Sequence, residues 1–289
     1  AISDDGAGDG TITGITTASI QFIDLSSVEI AFSDIGLVTS GDQVTVTPNT
    51  VTSYLLRGNS PTSLPGDLLT YDGSGTKNIT GVSSGTITGT GVQPVVFTGF
   101  ERVQTTGANT FDDVIDMSVL DNPPNNAANS DPNGLFIQLD DATSTLLEVY
   151  FDPDTTTPGD EVLVSSQLAS SVSTIDILGD VDADRVTIRA NASGDLPQIV
   201  GNLADDGGAS GDAHDNTAFT HANAGLYVNS AANKNIGIHF QGNGGVDTFA
   251  LEYSTAHDVG YFSDDIGGIA NNSGVVSVAG EFNLSFAGL

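Results

Sequence analysis

Apolar and polar residues alternate with a period of two along most of the chain, in short runs bounded by Gly, Asn and Asp. Thr11-Ile12-Thr13, Ser19-Ile20-Gln21-Phe22, Val44-Thr45-Val46, Thr86-Ile87-Thr88 and Val186-Thr187-Ile188 are runs of this kind. That period sends successive side chains to opposite faces of an extended strand, and β-branched residues suit the pleat. Helical periodicity is weak. Its best candidate, Val162 to Val172, is rich in Ser, a poor helix former. The pattern therefore predicts an all-β chain of short strands. Leu135-Phe136-Ile137-Gln138-Leu139 and Leu146-Leu147-Glu148-Val149-Tyr150-Phe151 flank Asp140-Asp141-Ala142-Thr143 and predict a hairpin.

One motif recurs. Gly10-Thr11-Ile12-Thr13-Gly14 precedes Ile20-Gln21-Phe22, and Gly85-Thr86-Ile87-Thr88-Gly89 precedes Val95-Val96-Phe97. A degenerate copy, Gly274 to Gly280 followed by Leu284-Ser285-Phe286, closes the chain. Between Asp121 and Gly134 the density of Pro and Asn forbids regular structure. The expected division is a first β-repeat module over 1–120, a Pro/Asn-rich loop plus hairpin over 121–160, and a second β-repeat module over 161–289. A start without Met or an export signal, and a last repeat that stops short, predict a piece of a longer tandem array. Two architectures fit: a β-solenoid or β-roll-like stack of short strands, and β-sandwich modules in tandem. The solenoid accounts for the short strands and scattered turn glycines, the sandwich for the hairpin and the wide spacing of the repeats.

Charge narrows the function. Lys and Arg number 6 against 37 Asp and Glu, a net charge of −31. Such a surface repels nucleic acid and anionic membranes, which need clustered bases, and it attracts cations. Hydrophobic residues make up 38% of the chain, enough for a core despite the charge. There is no Cys, so no disulfide supports the fold. No run of apolar residues is long enough to span a bilayer.

The strongest candidate chemistry lies at Gly242-Asn243-Gly244-Gly245-Val246-Asp247-Thr248-Phe249-Ala250. This stretch resembles the calcium-binding nonapeptide of RTX-type β-rolls, in which Gly turns expose carbonyls and an Asp supplies a charged ligand. Two degenerate stretches keep its Asp-x-apolar half. Gly179 to Thr187 carries Asp180, Asp182 and Asp184, and Gly107 to Ile115 carries Asp112 and Asp113. The candidate calcium ligands are Gly242, Gly244, Asp247, Asp180, Asp182, Asp184, Asp112 and Asp113, with tight turns built from good turn residues as the competing reading. The five Asp-Asp pairs, Asp112-Asp113 and Asp140-Asp141 among them, read as solvated loop charges. Catalytic patterns are weaker. Gly81-Val82-Ser83-Ser84-Gly85 matches a nucleophile elbow, but a Thr-Ile-Thr strand pattern follows where that motif needs a helix. His214 and His221 sit in a polar stretch, and Arg185 and Arg189 could share a strand face but have aspartates nearby to pair with. No enzyme is expected.

The Val95 to Glu101 motif and the turn at Gly242 to Phe249 resemble modules of very large tandem-repeat secreted surface proteins of bacteria. The resemblance implies an extracellular, cell-surface, calcium-stabilised structural or adhesive module that builds a filament, layer or matrix. Its partners would be other copies of itself or neighbouring repeat modules, with extracellular polysaccharide as a further one, and without membrane insertion. The alternative is an extracellular carbohydrate-binding or polysaccharide-degrading β-helix protein, in which Tyr150, Phe151, Tyr227, Tyr253, Tyr261 and Phe262 would line a binding face.

Overall fold

The computed structural model describes residues 1–4, 10–13, 20–22, 25–32, 41–58, 66–121, 133–153, 161–179, 183–193, 197, 237–241, 248–252, 259–263, 274–278 and 282–287. The protein is all-β, as the alternation predicts. In chain order the strands are β1 (Ile2–Asp4), β2 (Gly10–Ile12), β3 (Ile20–Phe22), β4 (Ser27–Ala31), β5 (Gln43–Val46), β6 (Ser53–Arg57), β7 (Leu68–Tyr71) and β8 (Gly75–Gly81). They continue with β9 (Ser84–Thr88), β10 (Val95–Thr98), β11 (Arg102–Thr105), β12 (Phe111–Asp116), β13 (Gly134–Leu139), β14 (Leu146–Asp152) and β15 (Val162–Leu168). The last are β16 (Val172–Leu178), β17 (Arg185–Arg189), β18 (Gly237–Gln241), β19 (Thr248–Glu252), β20 (Val259–Ser263), β21 (Gly274–Val278) and β22 (Phe282–Ala287). A short helix, α1 (Met117–Asp121), follows β12. The Ser-rich stretch from Val162 forms β15 and a turn of 3-10 helix rather than an α-helix.

Two mixed sheets of 11 strands each hold all of these strands. The first sheet runs β19-β17-β13-β14-β15-β11-β7-β5-β1-β2-β3, the second β20-β21-β22-β18-β16-β12-β8-β9-β10-β6-β4. Along the chain, successive segments alternate between the sheets. Most contribute a single strand in parallel register with its neighbours. Four contribute an antiparallel three-stranded meander instead: β1-β2-β3, β8-β9-β10, β13-β14-β15 and β20-β21-β22. All four run the same way. The first strand of a meander lands ahead of the sheet already built, and the chain folds back toward it. Thus β10 pairs with the earlier β6 and β8 with the later β12, while β15 pairs with the earlier β11 and β13 with the later β17. The hairpin expected within 121–160 is β13-β14, the first two strands of the third meander, embedded in the first sheet between β17 and β15.

The sequence repeat now has a structural meaning. Its copies are β2-β3, β9-β10 and β21-β22, the last two strands of three of the meanders. In every copy the leading Gly stands directly opposite the Phe: Gly10 to Phe22, Gly85 to Phe97 and Gly274 to Phe286. At the middle copy the reason is visible. A Cβ on Gly85 would strike the Asn78 carbonyl oxygen and lie 2.7 Å from the Phe97 ring, which occupies that space and is 3% exposed. A glycine opposite an aromatic lets the ring lie across the neighbouring backbone, which compensates for the missing side chain.

The sheets meet along their apolar faces. Leu69, Tyr71, Val103, Leu135, Ile137, Leu147 and Val149 of the first sheet are buried, as are Tyr54, Leu56, Ile79, Ile87, Val95, Ile115 and Ile175 of the second. The interior falls into two apolar clusters. One contains Val44, Tyr54, Leu69, Val95 and Phe111, and the other Ile79, Ile115, Leu135, Ile175 and Ile188. Replacing Phe97 by Ala should cost about 3–5 kcal/mol, because it removes the ring that fills the space above Gly85. Urea unfolding of the variant beside the native chain measures it, and the same loss is expected of Gly85→Val, which displaces the ring instead.

Candidate functional site

The second sheet carries one continuous row of side chains across eight strands on its inner face: Val28, Tyr54, Val95, Ile87, Lys77, Asp113, Ile175 and Ile238. Six are apolar or aromatic. In the middle, Lys77 and Asp113 stand side by side on the parallel strands β8 and β12, with side chains 1% and 0% exposed. Their polar atoms meet at 3.1 Å. The facing first sheet completes the group through β15. There Ser165 Oγ lies 3.1 Å and Gln167 Oε1 2.7 Å from Lys77 Nζ, and both accept from it. Gln167 Nε2 donates to Asp113 Oδ2. The Phe111 ring lies 5.5 Å below the amine. A break in the β14-β15 register between Val149 and Tyr150 adjusts the course of β15 just before these residues.

Removing an ammonium and a carboxylate from water costs several kcal/mol each, and one mutual contact does not fully repay it. Burial accordingly pushes the Lys77 amine below its ordinary range and the Asp113 carboxyl above its own, each partly restrained by the other. Both shifts favour the uncharged forms. The group lies between the two apolar clusters, with Phe111 and Ile87 belonging to one and Ile79 and Ile115 to the other.

A second set of acids, with Asp67 and Glu101 buried and Asp42 exposed, occupies the corners where strands of the first sheet begin. Asp42, Asp67 and Glu101 each precede matching positions of β5, β7 and β11. Asp42 N–H donates to Asp67 Oδ1 at 2.6 Å, and Asp67 N–H donates to Glu101 Oε2 at 2.8 Å. Each side chain thus holds the backbone of the preceding corner. Gly66, at φ +54°, has no room for a Cβ against Glu101. Burial pushes the Glu101 carboxyl up, opposed by its hydrogen bonds. Asn133 and Asp184 occupy the equivalent corners before β13 and β17, both buried, with Arg185 N–H donating to Asn133 O at 2.8 Å and Thr248 N–H to Asp184 O at 2.7 Å.

These placements decide how the candidate calcium ligands lie. Asp112 and Asp113 are neighbours on β12 and point to opposite faces. Asp112 is exposed and accepts from the Thr174 hydroxyl at 3.0 Å, while Asp113 is taken by Lys77. Asp184 sits at a corner of the other sheet. The structure therefore brings none of these three together. Asp180, Asp182, Gly242, Gly244 and Asp247 lie outside the described residues. Among the described residues no three His, Asp or Glu side chains gather as a metal site would need.

Two of the Asp-Asp pairs correct the reading as solvated charge. Asp113 is interior, because the period of a strand forces one member of any adjacent pair inward. Asp140 is 6% exposed and organises the β13-β14 loop, accepting from the N–H groups of Thr143, Thr145 and Leu146 and from the Thr143 hydroxyl. Burial works against its charge, but these bonds prevail and hold its carboxyl below the usual value. Gly81 to Gly85 is the turn between β8 and β9, and strand β9 follows Ser83. Arg185 and Arg189 pair with glutamates, Glu252 at 3.3 Å and Glu161 at 3.6 Å, rather than with neighbouring aspartates. Of the proposed aromatic face, Phe151 is a core residue, and Tyr227 and Tyr253 lie outside the described residues. Tyr150 is on the outer face of the first sheet. Its hydroxyl donates to Glu148 at 2.8 Å beside Gln138, and the Arg189 guanidinium covers Phe136 at 4.6 Å.

No protein-family model, no curated protein and no solved structure matches the chain.

Two pH effects follow from the buried acids. A raised carboxyl favours the folded state most below its ordinary value of 4.5 and loses that advantage as pH rises through the raised value. Urea midpoints of Glu101→Gln should therefore depend less on pH than those of the native chain over that window. Asp140 has the opposite sign, with its contribution present above 3.8 and lost as pH falls. Asp140→Ala should cost about 1–3 kcal/mol at neutral pH, and the difference from the native chain should shrink on acidification.

Proposed function

We propose that this chain is a structural module of an extracellular assembly on a bacterial surface, a β-solenoid-like stack that associates with further copies of itself or with neighbouring repeat modules. The observation that carries the reading is the alternation of successive segments between two open sheets in largely parallel register. Each turn of chain adds to both sheets, which is how stacked repeat folds extend. Strands β3 and β4 stand at one end of the two sheets and β19 and β20 at the other. Strand ends of this kind pair readily with another chain unless charge opposes it. A net charge of −31 supplies that opposition, and divalent cations such as Ca2+ relieve it. The Gly242 to Phe249 stretch is where the sequence favours calcium most.

A second reading rests on the outer face of the first sheet. Phe136, Tyr150, Gln138, Glu148 and Arg189 combine rings with hydrogen-bonding groups, the composition that an extracellular polysaccharide would engage. Here Arg189 already lies over Phe136 and Tyr150 already bonds Glu148, so the first reading is preferred.

Electron microscopy and light scattering with calcium at about millimolar concentration should reveal assemblies that disperse after EDTA dialysis. Assemblies that persist unchanged without divalent ions would remove the cation from the proposal. A chain that stays monomeric in both conditions, while binding members of a polysaccharide panel, would favour the second reading.

A further inference from the structure

From the arrangement around Lys77 we infer that its Nζ and the Cγ of Asp113 become joined in an amide, an intramolecular cross-link that the folded chain forms by itself between β8 and β12. This holds whether or not the module assembles as proposed above.

Position comes first. Register alone sets the two side chains next to each other on adjacent parallel strands, and the two polar atoms are 3.1 Å apart. Both are enclosed, so the attack needs no search and meets no competing water. The hydrogen bonds then orient the groups. A neutral amine has two N–H bonds and one lone pair. Ser165 Oγ and Gln167 Oε1 lie where they can accept both N–H bonds of the neutral amine, so that its lone pair is left for Asp113. Gln167 binds both reactants, since its Nε2–H donates to Asp113 Oδ2. That oxygen collects negative charge as Cγ becomes tetrahedral, and a fixed donor there stabilises it. Asp113 Oδ1 has no hydrogen-bond partner among the described residues and is the oxygen free to depart. Burial favours the neutral amine and the neutral acid, the two forms that can react.

The step balances without any co-reactant. The Nζ lone pair forms the Nζ–Cγ bond, the Cγ–Oδ1 bond breaks with its electron pair going to the hydroxyl, and that hydroxyl takes one proton from Nζ. One water leaves. Two groups that are costly to bury charged become one neutral amide, whose N–H and C=O inherit the partners already present in Ser165 and Gln167. Here Ser165 and Gln167 are positioning residues, and Lys77 and Asp113 are the reacting ones.

The intact mass of the purified full chain, measured after denaturation, decides the matter. The expected value is one water below the sequence mass, with proteolysis releasing a branched peptide that joins the Lys77 segment to the Asp113 segment. Lys77→Met should restore the full sequence mass. Should that variant fail to fold, Asp113→Asn gives a second readout, because the same attack then expels ammonia, and the deficit becomes that of ammonia rather than water. Gln167→Leu should slow the appearance of the deficit after refolding. A native chain at its full sequence mass would overturn the inference. So would a water loss that maps to a succinimide at an Asp-Gly step (Asp5-Gly6, Asp9-Gly10, Asp72-Gly73 or Asp206-Gly207) instead of to a branched peptide.

Discussion

A carboxylate removed from water must be answered by a donor or lose its charge, and this chain holds 37 acids against 6 bases. Much of the described structure is organised by that shortage. Three of the interior acids are answered by the backbone: Asp67 by the N–H of Asp42, Glu101 by the N–H of Asp67, Asp140 by a loop that closes around it. In each case a side chain from one part of the fold fixes the main chain of another, so acids that a bare charge count would place on the surface act as internal ties. Asp113 is different. It sits mid-strand, where the backbone is already committed to the sheet, and a lysine is the group beside it.

The two sheets grow in step. Among the described residues each contains two meanders among single strands, and each reaches 11 strands. The inner rows are apolar, which drives the sheets together, and Lys77 with Asp113 interrupts one of these rows where the interior changes from one cluster to the other. A polar group at that place joins four side chains from both sheets in a fixed geometry. Hydrophobic contact alone specifies the pairing of faces less sharply, because apolar side chains can repack when a register slips.

Periodicity was enough to read the fold class, and the β13-β14 hairpin was legible from its flanking apolar runs. The repeat was visible too, but its Gly and Phe are separated in the sequence, and only the antiparallel register shows that they face each other. The Asp-x-apolar signature was seen at Asp184 and Asp247 and interpreted as calcium ligation. The same spacing at Asp42, Asp67 and Glu101, each two residues before a buried Val or Leu, marks a structural corner, and Asp184 occupies such a corner too. Lys77 carries a signal of its own: between Gly75 and Gly81, Lys77 and Ile79 share one strand face, and a lysine in phase with an apolar core position calls for a buried partner. Which acid that partner is depends on contacts between distant segments, so no local pattern names it.

The direction shared by all four meanders bears on how the molecule can be made. A strand such as β10 returns to a neighbour, β6, that has already been synthesised, whereas β8 waits for β12. Order can therefore spread from the N-terminus with a single waiting strand at the advancing front of each sheet. The chain is able to condense as it emerges, and no finished portion has to reopen to admit what comes later.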